Sequence, residues 1–512
     1  MRCGSISAAV VSHPGAREYQ EDSYGFSELK PGLERFAAVL ADGMGGLPGG
    51  AMVSARAVSG MMGADVCAAG ANVPERLCNA AQRTSSEIFS GGSGGGSTLV
   101  EAVVAPEGLY FCSVGDSRIY LRRGNELTQL TEDHDHLSNL LAQAAEGGIT
   151  YRQAVGDKDG GALTQYIGSG AALSPDRNLR AMPLQPGDRI MLCSDGVYNA
   201  LSPAELLHSL ILSAGGAAED ILGRILARNY RNQDNFTAIV LEILPDYSPE
   251  PLPQSTGAEL SVEHSSYVTS GAGGIYADGG IFAAADGLGE NGAGARASAA
   301  ALGFLAERRD ADFSPDGIAE LFSGADSAVR ELGGGLAAMA AGFVQDGCFT
   351  FASAGDCGAF YFRGGEILAR TSGGKEGAQA LGILPAAELR QEYSPIEIQH
   401  GDAFLVCTAG FLEHVREMET QTDLLKSSDS GEWLGRMERR LVQSAQGRGE
   451  YAAVCGMFTE EPEPPRRKKR LLPVIAAVCA ALALLALGAV LMWLSGDSGE
   501  PEAPPATVEE LN

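Results

Sequence analysis

The sequence predicts an α+β protein in which two antiparallel β-sheets form a central sandwich flanked by α-helices. That unit occurs twice and is followed by a single transmembrane helix. Three observations predict this: short apolar or alternating runs that end in turn residues and cluster as hairpins, an ordered set of motifs that recurs in the second half, and one long uncharged stretch near the C-terminus.

In chain order, ISAAVVSH (6–13), RFAAVLA (35–41), STLVEAVV (97–104), GLYFCSV (108–114), RIYLRR (118–123), DRIMLCS (188–194) and FTAIVLEI (236–243) read as strands. VPERLCNAAQRTSSEIF (73–89) and AEDILGRILARNY (218–230) read as amphipathic helices. Ser202-Pro-Ala-Glu205 before LLHSLIL is a capping box with proline at the first helical position. Strands outnumber helices, which favours two sheets with helices outside them.

The 512 residues carry 37 Lys plus Arg against 65 Asp plus Glu, a net charge of −28. So acidic a surface repels nucleic acid, and none is expected as a partner. The ten cysteines form no C-x-x-C pair and sit mostly inside apolar runs, so zinc is not indicated and a reducing compartment is.

SPEPLPQSTG (Ser248–Gly257) punctuates the chain after a strand, and TEEPEPP (Thr459–Pro465) does so again before the basic run Arg466–Arg470. The expected organisation is a first domain at 1–247, a linker at 248–257 and a second domain at 258–459. An acidic and basic linker at 460–470, a membrane span at 471–494 and a short tail at 495–512 complete it. The span, Leu471–Leu494, would reach roughly 36 Å as a helix, enough to cross a bilayer. Its basic flank precedes it and its acidic tail follows, so the positive-inside rule keeps both domains in the cytoplasm at the cell membrane.

The two domains align motif by motif. VLADGMGG matches FAAADGLGE, setting Asp42 opposite Asp286, and SVGDSRIYLRRGNEL matches SAGDCGAFYFRGGEI, setting Asp116 opposite Asp356. GDRIMLCSDGV matches GDAFLVCTAGF, setting Asp195 opposite Ala409, and DNFTAIVLEI faces EYAAVCGMF, setting Asp234 opposite Glu450. One deletion, between Thr131 and about Leu163, accounts for the change of offset. A duplicated domain is expected.

In the first domain the acids stand at strand ends: Glu21 and Asp22, Asp42, Asp116, Asp195 and Asp234. Any one Asp-Gly pair is an ordinary turn. Six such acids brought together repel one another and raise one another's pKa unless a cation neutralises them. Oxygen donors without His or thiolate suit Mg²⁺ or Mn²⁺. GGSGGGST (91–98) nearly spells a phosphate-binding loop, but Ser97 stands where the lysine belongs, so nucleotide hydrolysis is disfavoured.

The ordered set R-x-x-x-E-D, A-D-G-M-G-G, G-S-T-L-V, V-G-D-S-R-x-Y, C-S-D-G and D-N-x-T resembles the PPM-type, metal-dependent serine/threonine phosphatases, the protein phosphatase 2C family, in bacterial form. The resemblance covers 1–247 and implies the sandwich fold already read from the strands. It implies two Mn²⁺ or Mg²⁺ ions, with Asp42 bridging them and Gly43 lending its carbonyl. Asp195 and Asp234 complete one ion's shell, Glu21 and Asp22 serve the other, and Asp116 holds a third, weaker ion. Arg17 matches the arginine that grips the substrate phosphate. The implied reaction is hydrolysis of phosphoserine and phosphothreonine in proteins by water that the cation pair acidifies, with no phosphoenzyme. A Ser/Thr kinase acting in opposition follows from the same family logic.

Two departures stand out. Met44 and Leu47 occupy positions where relatives place a histidine. His134 and His136 lie where the family's flap begins, and a structural role suits them better than that of general acid. The second domain keeps Asp286, Gly287 and Asp356 but has Ala409 for the third ligand, Glu450 for the fourth, and neither the arginine nor the Glu-Asp pair in VEHSSYVTSGAGG (262–274). It is expected to be an inactive, regulatory copy. The alternative from another class is a membrane-anchored sensor or scaffold that binds phosphoprotein without turnover.

Overall fold

The computed structural model describes residues 5–27, 35–44, 49–63, 72–92, 94–248, 260–269, 271, 273–371, 380–383, 395–447 and 450–460. The chain divides into two compact units, Met1–Thr459 and Glu460–Asn512, and everything below concerns the first. Among the described residues no helix is long and apolar enough to cross a membrane. The expected span Leu471–Leu494 lies outside them, as do Leu47 and most of the first linker.

The first half runs β1 (Ile6–His13), β2 (Asp22–Phe26), β3 (Phe36–Asp42), α1 (Gly50–Met62), α2 (Val73–Ser90), β4 (Leu99–Ala105), β5 (Gly108–Val114), β6 (Arg118–Arg123) and β7 (Glu126–Gln129). It continues through α3 (His136–Ala145), α4 (Tyr151–Val155), β8 (Asp176–Arg177), β9 (Arg189–Cys193), α5 (Asp195–Tyr198), α6 (Pro203–Ser209), α7 (Ala214–Arg228) and β10 (Phe236–Ile243). The second half runs β11 (Leu260–Val268), β12 (Gly274–Asp278), β13 (Ile281–Leu288), α8 (Ala293–Ala306), α9 (Pro315–Glu331), β14 (Leu336–Gln345), β15 (Cys348–Ala354) and β16 (Gly358–Arg363). It closes with β17 (Glu366–Arg370), β18 (Ile396–Glu397), β19 (Ala403–Cys407), α10 (Ala409–His414), α11 (Glu417–Lys426), α12 (Ser430–Ser444) and β20 (Ala452–Glu460).

The first half folds two five-stranded sheets, ordered β1-β10-β9-β6-β7 and β2-β3-β4-β5-β8. The second half repeats both orders strand for strand, β11-β20-β19-β16-β17 and β12-β13-β14-β15-β18. Helices α3 and α4, which fall inside the stretch deleted from the second half, have no counterpart there among the described residues.

Alternation along each strand builds the layers. Phe36, Ala38 and Leu40 of β3 meet Ile190 and Leu192 of β9 and Ile239 and Leu241 of β10 between the sheets. Ala37, Val39 and Ala41 face α1 and α2 on one outer side, while α5, α6 and α7 cover β9 and β10 on the other. Sheets covered on both faces explain why LVEAVVA in β4 is buried at every position. The capping box forms as expected: Glu205 N donates to Ser202 Oγ and Ser202 N donates to Glu205 Oε2.

One residue sits oddly in this frame. Glu101 of β4 stands between Val39 and Cys112 in register, fully buried, and neither carboxyl oxygen has a hydrogen-bond partner. Burial pushes it from 4.5 up to about 8. The native state therefore holds a proton that the unfolded chain has lost between those values, so this group's stabilising contribution, full below pH 4.5, is lost as the pH rises towards 8. Glu101→Gln should melt roughly 3 °C or more above the parent at pH 8. The two melting curves should converge near pH 5, and a gap independent of pH would contradict the assignment.

Candidate active site

The site forms where strand ends of both sheets of the first half meet. The β2–β3 hairpin sets Asp22 directly opposite Asp42. Asp42 is pinned through its backbone: its N–H donates to Thr98 Oγ1 at 3.0 Å, and its carbonyl accepts from Thr98 N at 2.8 Å and from Ser97 Oγ at 2.8 Å. Gly43 N donates to the Glu21 carbonyl at 3.1 Å. A Cβ at Gly43 would stand 2.5 Å from the Gly50 carbonyl and 2.8 Å from that of Glu21, so only glycine fits this approach.

The other sheet supplies the remaining acids. Asp195 opens α5 immediately after β9, and Asp234 lies just before β10, which is hydrogen-bonded to β9. Asn235 fastens the loop that carries Glu21: its Oδ1 accepts from Glu21 N, and its Nδ2 donates to the carbonyls of Pro14 and Tyr19. Ser194 ties the sheets together, donating its hydroxyl to Asp22 Oδ2 at 2.8 Å while accepting from Thr237 N at 3.0 Å. Asn235, Ser194 and Thr237 lie inside the D-N-x-T and C-S-D-G motifs, but only the fold shows what they bind.

The electrostatics are those of crowded anions. Burial, joined by the charges of Asp22, Asp195, Asp116 and Asp234, pushes Asp42 well above the usual carboxylate range. Burial with the charges of neighbouring carboxylates likewise lifts Asp22, Asp116 and Asp195, each to about 6. The buried Oδ1 of Asp22 makes no hydrogen bond. A divalent cation fits these residues: the donors are hard oxygens, they destabilise one another as anions, and one is left without a partner. Among the described residues no three His, Cys, Asp or Glu side chains already close around a common point, so the fit rests on charge and donor chemistry.

Arg17 reaches the rim of the site but does not stand free. Its Nη2 lies 2.8 Å from Asp234 Oδ2, with both side chains substantially exposed. His134 braces the neighbouring turn: its backbone N–H donates to the Gly115 carbonyl and its Nδ1 accepts from Gly115 N, and burial lowers its pKa. That exchange holds the turn before Asp116, whose carbonyl also accepts from the Tyr198 hydroxyl at 3.1 Å.

The corresponding corner of the second half carries fewer carboxylates. Asp286 persists on β13, with burial and the charges of Asp356 and Glu450 raising its pKa. β12 begins at Gly274 opposite Ala285, so no carboxylate faces Asp286 as Asp22 faces Asp42. Ala409 opens α10 after β19, where Asp195 opens α5 after β9.

Carboxylates gathered at the strand ends of a two-sheet sandwich make a site suited to a divalent cation. Residues 11–221 match the family model described as Protein phosphatase 2C. Protein phosphatase PhpP of Streptococcus pneumoniae is 32% identical over 180 residues, covering 34% of this chain and 71% of that protein. Serine/threonine phosphatase stp of Listeria innocua is 28% identical over 236 residues, covering 44% of this chain and 91% of that protein. The catalytic domain of the serine/threonine protein phosphatase PstP, solved in complex with two manganese ions, is 28% identical with a TM-score of 0.38, covering 47% of this chain and 98% of that one. The chain belongs to the protein phosphatase 2C family.

The sign of the pKa shifts gives a test without substrate. Asp22, Asp116 and Asp195 hold protons in the native state up to about pH 6 that the unfolded chain releases near 3.8. Stability they contribute below pH 3.8 is therefore lost as the pH rises to 6. In EDTA the melting temperature should fall between pH 4 and 7, and Asp42→Asn should raise it at pH 7 by roughly 3 °C. Mn²⁺ should stabilise the parent and not the variant; equal stabilisation of both would place the ion elsewhere.

Proposed function

We propose that the chain is a metal-dependent serine/threonine phosphoprotein phosphatase whose chemistry resides in the first half and whose second half is inactive and regulatory. The observation that carries this reading is Asp42, raised by burial and then by the charges of four neighbouring carboxylates, beside a glycine that nothing larger can replace. Asp42 would be shared by two Mn²⁺ or Mg²⁺ ions, with Asp195 and Asp234 on one, Glu21 and Asp22 on the other, Gly43 offering its carbonyl, and Asp116 serving a third. Bound there, the cations supply Lewis acidity that makes water a nucleophile at neutral pH and offset charge on the transferring phosphoryl group.

The chain's own residues do the rest. Ser194 and Thr237 orient Asp22 across the sheets. Arg17, exposed and paired with Asp234, exchanges that carboxylate for two oxygens of the substrate phosphate, which its planar fork matches. The half-exposed position of Arg17 suits a phosphate on a protein surface better than a small buried metabolite. In the second half Ala409 and the empty place opposite Asp286 remove two carboxylates, which supports a copy without turnover. We further propose that residues 471–494 tether both halves to the cytoplasmic face of the cell membrane, where a Ser/Thr kinase would act in opposition.

Full-length protein should release phosphate from a phosphothreonine peptide in Mn²⁺ but not in EDTA. Asp42→Asn should cut that rate by about 10³-fold, the several kcal/mol expected of lost metal catalysis. Metal binding with no release would move the protein to the scaffold reading. A second test concerns the copy: Asp286→Asn with Asp356→Asn in the full chain should leave turnover within about twofold, since substitutions away from the working site act weakly.

A further inference from the structure

The second half does more than follow the first along the chain, because α11 is built into the first sandwich. Met418 and Leu425 of α11 are buried in the same apolar cluster as Leu121, Leu184 and Ile190. The Leu425 carbonyl accepts from Leu179 N at 2.9 Å, and the guanidinium of Arg180 donates to the carbonyls of Leu424 and Ser427. Arg416, at the other end of α11, donates to the Leu127 carbonyl.

At the centre of this contact is a buried charge cluster. The side chain of Lys426 is fully buried, with Nζ 2.7 Å from Asp176 Oδ1, 3.3 Å from Glu132 Oε1 and 3.3 Å from the Leu130 carbonyl. Arg436 and Arg439 of α12 reach the same Glu132. Glu132 N donates to Asp176 Oδ2 at 2.8 Å, so the two acids are also joined to each other. Burial alone would raise Glu132, but Lys426, Arg436, Arg439 and Arg440 hold it well below the usual range. Lys426 and Asp176 are the buried members, and removing either would leave the other's charge uncompensated, so the pair holds the two halves together at this point.

That geometry leads to the carboxylate site within four residues. Thr131 Oγ1 accepts from Ile119 N. Asp133 takes the guanidinium of Arg118 through Nε at 3.1 Å and Nη2 at 2.6 Å, and that guanidinium lies 3.6 Å over the ring of Tyr198. His134 exchanges two hydrogen bonds with Gly115, the residue before Asp116. Beyond it, α3 and α4 face the end of α12 across a cleft of about 770 Å³ lined in part by Ala145, Tyr151, Val155, Leu441, Ala445 and Tyr451. The second half thus holds, among other segments of the first half, the start of the stretch that has no counterpart in its own described residues.

We infer that Lys426 and Arg436 are positioning residues for the phosphatase site: through Glu132 and Asp176 they hold residues 131–134, which in turn set the Asp116 corner of the carboxylate cluster. This rests on the phosphatase reading above and names how the second half would act on it. Regulation would then run through an interface that is part of the native fold, and a ligand or partner that loosened α11 and α12 would raise the metal requirement of the first half.

The test uses full-length Lys426→Met and Arg436→Gln, with hydrogen exchange of the metal-free proteins as the first readout. Amides of residues 113–118, Gly115 above all, and of 131–136 should lose protection in both variants. The Mn²⁺ concentration for half-maximal peptide turnover should rise roughly fivefold or more, the lower end of ordinary coupling between sites, with the peptide KM unchanged. If Lys426→Met does not fold, Arg436→Gln, which leaves Lys426 with both acids, decides alone. Deprotection confined to 416–440, with 113–118 and the Mn²⁺ requirement as in the parent, would overturn the inference. A parent without metal-dependent turnover would defeat the phosphatase reading instead, and the exchange pattern at 113–118 would still decide this one.

Discussion

The functional end of this molecule depends on one constraint: carboxylates held close together in a poorly solvated place cannot all be anions. The β2–β3 register puts Asp22 against Asp42, and the neighbouring sheet brings Asp195 and Asp234 to the same rim. Burial raises Asp22, Asp42 and Asp195, and the charges of neighbouring carboxylates add to it. The arrangement is costly by itself and is relieved by divalent cations, so the energetics that weaken the metal-free fold are those that create affinity. The supporting polar residues serve the same end. Ser194 and Asn235 hold acids and loop in place, and Gly43 lets two backbones approach where a side chain would keep them apart.

The second half shows what the frame is without that constraint. Its sheets repeat the strand orders of the first, and its cores fill in the same layers, with Phe282, Phe349, Phe351 and Phe404 between the sheets. A sandwich therefore needs no carboxylate cluster to fold. What the second half does carry is a set of cations on α11 and α12 directed at the first half. Lys426 and Arg436 bind Glu132 and Asp176, close to the turn that holds Asp116. The changed carboxylate positions and the contact to the first half are compatible, because they fall on different parts of the motif: strand ends for the former, the helices α11 and α12 for the latter.

Much of this was legible in the residues. Strands with continuous or alternating apolar patterns were read to within two residues at either end, β1, β5, β6 and β10 at their observed bounds. The acids at strand ends were recognised from their Gly-rich turns. Three kinds of feature were not visible. β2 is short and interrupted by Gly25, so its pattern carries no period, and its place is set by pairing with β3. The Arg17–Asp234 pair joins residues far apart in the chain, and Arg17 was read for phosphate alone. The buried Lys426 reads as one more surface charge in DLLKSS, and only the fold shows that its partners are Glu132 and Asp176. Long-range pairing leaves no periodic trace, which is why the sequence offers candidate acids by residue type but no sign of the contact between the halves.

The most direct measurement of the central claim is the anomalous scattering of manganese from crystals of the protein grown with Mn²⁺. Two strong peaks bounded by Asp22, Asp42, Asp195 and Asp234, with none beside Asp286 and Asp356, are what the carboxylate constraint predicts. No peak among the first-half acids, or a matching pair of peaks in the second half, would contradict it.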